Sequence, residues 1–127
     1  MTFALGKKSR SKLEGVHPDL VRVIERAIQI TKVDFTVTEG LRTKARQAAL
    51  VKAGASMTLN SRHLTGHAVD LAALVGGKIR WDWPLYYRIA GAVKQAAEEE
   101  QVPIDWGGDW VTFKDGCHFQ LSKKAYP

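Results

Sequence analysis

The chain has 127 residues, which is enough for one domain with one hydrophobic core and too few for two ordinary domains. Its composition, 45% hydrophobic and 25% charged, is that of a folded soluble protein and not that of a disordered tail. The single cysteine, Cys117, excludes an intramolecular disulfide, so the fold depends on its core and on any bound metal. We therefore expect one domain over residues 1–127.

The charge of the chain is strongly basic, with 19 Lys and Arg against 13 Asp and Glu and a net charge of +6. This charge favours an anionic partner, such as nucleic acid, a membrane surface or an acidic wall polymer, without choosing among them. Much of the excess lies in residues 7–12, and we expect residues 1–12 to form a flexible, solvated start. The sequence has no signal-peptide core and no apolar run of membrane-spanning length, so we expect a cytoplasmic protein without membrane insertion.

The first half of the chain alternates helix and strand signals. Apolar residues recur with one-face helical spacing over residues 18–31, and Pro18 suits the first turn of this helix. Residues 35–38 alternate apolar and polar side chains and predict a short strand. Thr43 can cap a second helix that runs to about residue 52, and residues 55–62 then form a polar loop.

The second half predicts further strands around one long helix. Residues 68–72 resemble a buried strand, and the Gly pair at 76–77 predicts a hairpin with a strand at 78–81. A third helix follows residue 82 and ends before Pro103, and residues 104–121 contain short strands broken by Gly turns. This order predicts an α+β fold in which about three helices pack on a small, largely antiparallel sheet.

Two histidines and one aspartate are candidate ligands of a catalytic metal. His63 and Asp70 lie in the stretch Ser-Arg-His-Leu-Thr-Gly-His-Ala-Val-Asp, and His118 follows 48 residues after Asp70. Catalytic zinc usually takes three such ligands and leaves a position for a water whose pKa falls to about 7. Spacing alone leaves the alternative open that His63 is a surface residue, Asp70 belongs to a buried polar network and His118 is a hydrogen-bonded core residue.

Three motifs resemble the zinc D-Ala-D-Ala carboxypeptidase family, which includes phage endolysins that cleave the L-alanyl-D-glutamate bond of peptidoglycan. They are Ser-x-His-x-x-Gly-x-Ala-x-Asp at 61–70, a Trp-Gly stretch at 106–107 and Asp-x-x-His-Phe at 115–119. The similarity also covers residues 13–20 and 38–43, so it extends over nearly the whole chain. It resembles the endolysins most, and it implies the D-Ala-D-Ala peptidase-like fold with a zinc site in a cleft.

The resemblance also implies the metal site and the general base. It puts one Zn²⁺ per chain on His63, Asp70 and His118, and it gives the role of general base to Asp115. An Asp at this position, where relatives acting on D-Ala-D-Ala often have Glu, favours the endolysin type. His67, four residues after His63, is expected to stay outside the site because the family pattern does not include it.

The remaining expectations concern substrate contacts and the cysteine. The resemblance gives Arg42 the role of stabilising an oxyanion or holding a substrate carboxylate, for which a guanidinium is well suited. Ser61 and Trp106 are further expected substrate contacts, although core packing explains Trp106 equally well. Cys117 is expected to be a small buried hydrophobe that faces away from His118.

The leading hypothesis is a zinc endopeptidase that cuts the L-alanyl-D-glutamate bond of the peptidoglycan stem peptide during phage lysis. Such an enzyme is expected to be a monomer, to stay in the host cytoplasm and to reach the wall when the cell lyses. A D-Ala-D-Ala carboxypeptidase or dipeptidase is the alternative within the enzyme class. A basic nucleic-acid-binding protein is the alternative outside it, since four Trp and the positive charge suit stacking on bases.

Overall fold

The computed structural model describes residues 2–56 and 58–127, so Met1 and Met57, which fall in the predicted flexible start and the predicted loop 55–62, lie outside them. Within these ranges the chain forms the following α-helices: α1 (Lys7–Lys12), α2 (Pro18–Ile30), α3 (Lys44–Lys52) and α4 (Trp83–Glu100). The strands are β1 (Asp34–Glu39), β2 (Ala68–Val75), β3 (Lys78–Arg80), β4 (Ile104–Trp106) and β5 (His118–Leu121). Short 3-10 helices span Arg62–Thr65 and Gly107–Asp109.

The strands form one antiparallel sheet in the order β1-β2-β5-β4, and β3 pairs with the end of β2. β2 is the central strand because it pairs with β1 on one side and with β5 and β3 on the other. In its pairing with β5, Asp70 lies directly opposite His118. The predicted α+β class and the antiparallel sheet are confirmed.

The core lies on one face of this sheet, under α2 and α4. α2 buries an apolar face and begins with Pro18 after His17, whose Nδ1 accepts a hydrogen bond from the Asp19 amide. Strand residues Val69 and Leu71 join this core. Because side chains alternate along a strand, Asp70 between them points to the opposite face. The fold therefore presents Asp70 away from the core.

Most predicted elements are confirmed within one to three residues, but the expected flexible start is wrong. Residues 7–12 form α1, which packs against β1, so the structure has one more α-helix in its described part than the sequence predicted. Ser9 of α1 is buried, and its hydroxyl hydrogen-bonds Thr36 Oγ1 and accepts from the Val37 amide, both at 2.9 Å. Leu5 also joins the core. The basic side chains on the outer face of α1 dominate this part of the sequence, so the sequence does not indicate that the segment is anchored to the core.

No helix in residues 2–56 and 58–127 is both long enough and apolar enough to cross a bilayer.

Candidate metal centre and cleft

A cleft of about 930 Å³ opens on the face of the sheet opposite the helical core. His63, Asp70 and His118, hereafter the metal group, line it. One wall comes from the loop before His63 and another from the segment 110–115. The basic side chains along the cleft are Arg42, Arg46, Arg62, Lys114 and Lys123. The cleft therefore combines a candidate metal site with a positive rim.

The metal group brings together residues from three separate elements. One potential ligand atom from each of its members lies within 4.8 Å of the others. Asp70 Oδ1 is 3.2 Å from His63 Nε2 and 3.3 Å from His118 Nδ1. His63 belongs to the 3-10 helix Arg62–Thr65, whose N-cap is Ser61; the Ser61 hydroxyl accepts a hydrogen bond from the His63 amide at 3.2 Å. The convergence that spacing could not establish is present in the fold.

The outer nitrogen of each histidine is held by an acceptor. His63 Nδ1 donates to the Gly40 carbonyl oxygen at 2.9 Å, and His118 Nε2 donates to Gln120 Oε1 at 2.8 Å. Since neither acceptor atom can donate, each imidazole carries a hydrogen on its outer nitrogen, and its inner nitrogen faces Asp70 as the atom available to a metal. This pattern of outer hydrogen bonds is typical of metal-ligating histidines. Two nitrogen lone pairs and a carboxylate oxygen fit a three-ligand metal site.

The position of Gly40 depends on close packing against α1. A Cβ at Gly40 would lie 1.9 Å from the Lys12 carbonyl oxygen, so a side chain there would displace either α1 or the loop. Because the Gly40 carbonyl holds His63, α1 supports the metal group from behind. The segment expected to be a flexible start is thus part of the framework of the site.

The electrostatics of the metal group favour a cation. Burial alone would raise the pKa of Asp70, but hydrogen bonds with His118 and His63 hold that pKa well below its usual range. Burial would lower the pKa of His118, whereas its hydrogen bond to Asp70 raises it. Asp70 is therefore an anion throughout the physiological range, and its charge attracts a positive partner.

Arg42 lies beside the metal group and is nearly buried, with 8% of its side chain exposed. Its Nη2 is 3.4 Å from Asp70 Oδ2, and its backbone amide donates to the His63 carbonyl oxygen at 3.0 Å. Its Nη1 donates to Gln47 Oε1 at 2.8 Å, and its Nε is 3.5 Å from Glu39 Oε1. These contacts fix the guanidinium at the cleft, beside the metal group.

Gln47 is a residue that the sequence analysis did not identify. It is 1% exposed, although the other side chains of α3 are exposed or half-buried. Its Oε1 accepts from Arg42, and its Nε2 donates to Ser56 Oγ at 2.8 Å and to the Thr58 carbonyl oxygen at 2.5 Å. Gln47 thus joins Arg42 to the loop that forms one wall of the cleft. α3 has no apolar stripe, so periodicity gave no signal for this position.

Asp115 and Cys117 lie next to the metal group in the turn before β5. Ligand atoms of Asp115, Cys117 and Asp70 are within 4.8 Å of one another, and Asp115 lines the cleft. Burial raises the pKa of the Cys117 thiol, and the nearby carboxylates of Asp70 and Asp115 raise it further. The protonated thiol donates to Asp115 Oδ1 at 3.0 Å. Cys117 is therefore half-buried and hydrogen-bonded, which corrects the expectation of a buried hydrophobe.

The remaining candidates divide between the cleft and the core. Ser61 lines the cleft, as expected of a substrate contact. Trp106 is 3% exposed and is not among the described residues that line the cleft, which corrects its expected role. Trp110 lines the cleft instead, with its ring 5.2 Å from that of His118. His67 bonds to Thr65 Oγ1 at 2.6 Å and lies outside the metal group, as expected.

The chain is similar to known peptidases in sequence and in structure. The profile of the phage L-alanyl-D-glutamate peptidase family matches residues 1–122. The L-alanyl-D-glutamate peptidase of Escherichia phage T5 is 34% identical over 130 residues, covering 99% of this chain and 94% of that protein. The enzyme of the same name from Listeria phage A118 is 37% identical over 94 residues, covering 74% of this chain but 32% of that longer protein.

Two solved structures share the fold. The Serratia marcescens L-Ala D-Glu endopeptidase ChiX has a TM-score of 0.92 and 52% identity, covering 100% of this chain and 94% of that one. The vancomycin resistance D,D-dipeptidase VanXYg, solved with a D-Ala-D-Ala phosphinate analogue, has a TM-score of 0.55 and 20% identity over 84% of this chain and 50% of that one. The second likeness shows the fold alone. The family match over residues 1–122 shows that the chain belongs to the phage L-alanyl-D-glutamate peptidase family.

Proposed function

We propose that the chain is a zinc-dependent endopeptidase that hydrolyses the L-alanyl-D-glutamate bond of peptidoglycan stem peptides. The observation that carries this proposal is the metal group, in which outer acceptors turn one nitrogen of each histidine toward Asp70 while the Asp115 carboxylate lies alongside. The substrate bond is the one named for relatives at 34–52% identity. Two imidazoles and one carboxylate are a usual ligand set for catalytic zinc.

A zinc ion in the metal group would supply two chemical effects. Zinc held by the metal group would act as a Lewis acid that lowers the pKa of a water toward about 7 and polarises the scissile carbonyl. Gly40 and Gln120 accept hydrogen bonds from the outer nitrogens of the two imidazole rings and so orient their inner nitrogens for a metal.

Asp115 performs the proton transfers in this proposal. Its carboxylate accepts a proton as the water oxygen bonds to the alanyl carbonyl carbon. When the carbon–nitrogen bond breaks, the same carboxyl group gives that proton to the amine of D-glutamate. The thiol of Cys117 donates to one oxygen of Asp115, which leaves the other oxygen for the proton. Asp115 therefore returns to its deprotonated form at the end of each reaction cycle.

Arg42 supplies fixed positive charge beside the reacting bond. Its guanidinium is held by Gln47 and Asp70, so its orientation is set before substrate binds. In this position it stabilises negative charge on the scissile carbonyl oxygen or holds a substrate carboxylate. The basic rim of the cleft suits a stem peptide, because D-glutamate keeps a free carboxylate next to the scissile bond.

We also propose that residues 1–127 act as one monomeric peptidase domain during phage lysis. The matching family model is that of a phage peptidase, so the protein would accumulate in the host cytoplasm and meet the wall when the cell is opened. Its partner is then the stem peptide, with no role for nucleic acid. The +6 charge would favour approach to an acidic wall.

Digestion of purified peptidoglycan tests the proposed function. Mass spectrometry of the products should find new L-alanine carboxyl termini and new D-glutamate amino termini. A chelator should abolish the cleavage, and added zinc should restore it at about one ion per chain. Release of free D-alanine without these termini would instead identify a D,D-carboxypeptidase, and full activity in the metal-free protein would exclude the metal mechanism.

A further inference from the structure

Trp106, the last residue of β4, makes a polar contact that core packing does not require. Its indole ring stacks on Phe119 with a centroid distance of 6.2 Å, and the Lys94 ammonium lies 5.2 Å from the ring. At the same time its Nε1–H donates to the Gly116 carbonyl oxygen at 2.8 Å. Gly116 directly follows Asp115, the proposed base. The buried indole is thus bonded to the turn that carries the base.

Gly107 holds the same turn from its other side. The Asp115 amide donates to the Gly107 carbonyl oxygen at 3.0 Å. A Cβ at Gly107 would lie 2.3 Å from the Asp115 carbonyl oxygen, so the two segments approach too closely for any side chain. Two consecutive residues, Trp106 and Gly107, therefore bind two consecutive residues, Asp115 and Gly116, through hydrogen bonds of opposite direction.

We propose that Trp106 is a positioning residue, which acts on catalysis by holding the Asp115–Gly116 turn so that the Asp115 carboxylate stays beside the metal group. This inference rests on the proposed function, because it requires Asp115 to be the base. The segment that leads into this turn packs little against the rest of the molecule, since the side chains of Val111 and Phe113 are 94% and 69% exposed. The indole N–H ties the turn to the rigid core through a ring stacked on Phe119. A displacement of about 1 Å at a catalytic group can lower turnover by roughly 10²-fold.

The substitution Trp106→Phe separates positioning from packing. It keeps an aromatic ring against Phe119 but removes the indole N–H that holds Gly116. We expect kcat to fall roughly tenfold to 10²-fold, with KM and zinc content close to those of the wild type. Trp81→Phe is the matched control, because Trp81 is an exposed tryptophan for which no hydrogen bond is seen in the described structure, and it should keep the wild-type kcat.

The double variant Trp106→Phe/Asp115→Asn tests whether the effect passes through the base. Once the base is gone, losing its support should have no further consequence, so the double variant should turn over as slowly as Asp115→Asn alone. A wild-type kcat in Trp106→Phe would overturn the inference. Multiplied losses in the double variant would also overturn it, because Trp106 would then act independently of Asp115.

A second pair of variants covers the case in which Trp106→Phe does not fold. Gly107→Ala should displace the same turn and lower kcat, with zinc retained. Gly91→Ala places its Cβ in open space and should leave kcat unchanged. Equal activity of these two variants would overturn the inference. A wild-type rate in Asp115→Asn alone would refute the base assignment of the proposed function and the inference with it, so the two failures give different patterns.

Discussion

Replacing Gln47 by leucine should lower both the stability of the protein and its turnover. The amide oxygen of Gln47 accepts from Arg42 Nη1 at 2.8 Å, and its nitrogen donates to Ser56 and Thr58. Leucine has a similar size and suits a buried helical position, but it can replace none of these bonds. The substitution therefore removes one polar junction without opening a large cavity.

The size of the loss in stability depends on whether water can replace the hydrogen bond that each partner of Gln47 loses. The Thr58 carbonyl is on an exposed residue and Ser56 is half-buried, so water can replace their lost bonds at little expense in free energy. Arg42 is 8% exposed, so its Nη1 loses a charged hydrogen bond and stays poorly solvated. A hydrogen bond to a charged group contributes about 1.5–3 kcal/mol, and the buried leucine offsets part of this loss. We expect the free energy of unfolding to fall by about 2 kcal/mol.

Urea unfolding of the zinc-saturated protein measures this loss. The midpoint should shift to lower urea while the slope stays unchanged. Gln95→Leu is the matched control, because Gln95 is exposed on α4 and its replacement should change stability by less than about 0.5 kcal/mol. Turnover of Gln47→Leu should also fall, since Arg42 loses one of the contacts that orient it. An unchanged midpoint together with wild-type turnover would refute the role given to Gln47.

Three further predictions concern the proposed site. Alanine at each member of the metal group should strip zinc from the purified protein, whereas His67→Ala should retain it, and the reverse result would refute the ligand assignment. Arg42→Lys should impair turnover because an ammonium cannot reproduce the guanidinium fork, and wild-type kinetics would move this role to another basic residue. Asp115→Asn should keep zinc and lose roughly 10²- to 10⁴-fold in kcat, and near wild-type cleavage would place the base elsewhere.

Whether an element could be predicted from the sequence depended on the interactions that stabilise it. α2 was predictable because its apolar face has helical spacing and its first turn contains Pro18. α1 was not, because it is short and its stability comes from Ser9 bonding to β1. A buried serine in a basic segment gives no periodic signal. Tertiary contacts, not local preference, make residues 7–12 helical.

The sequence indicated the candidate ligands of the site but not the residues that orient them. The family resemblance supplied His63 and His118, since no spacing rule connects a 3-10 helix with a strand so far along the chain. The residues that orient the site, Gln47 and Gln120, act through hydrogen bonds of their side-chain amides. Such bonds depend on tertiary distance, so one sequence cannot indicate them. For Trp106, the sequence left open a substrate contact and a place in the core, and the structure places it in the core.

The register of β2 against β5 explains why the core and the candidate metal centre form together. Phe119 and Leu121 are fully buried, and they fix which face of β5 meets the core. Because side chains alternate, His118 and Gln120 must then both face the cleft, and residues two apart on one face can bond to each other, as their side chains do. The same register sets His118 opposite Asp70. A slip of one residue would bring Phe119 into the cleft and His118 into the core, so the hydrophobic burial that selects the register also brings together two candidate ligands and Gln120, which orients one of them.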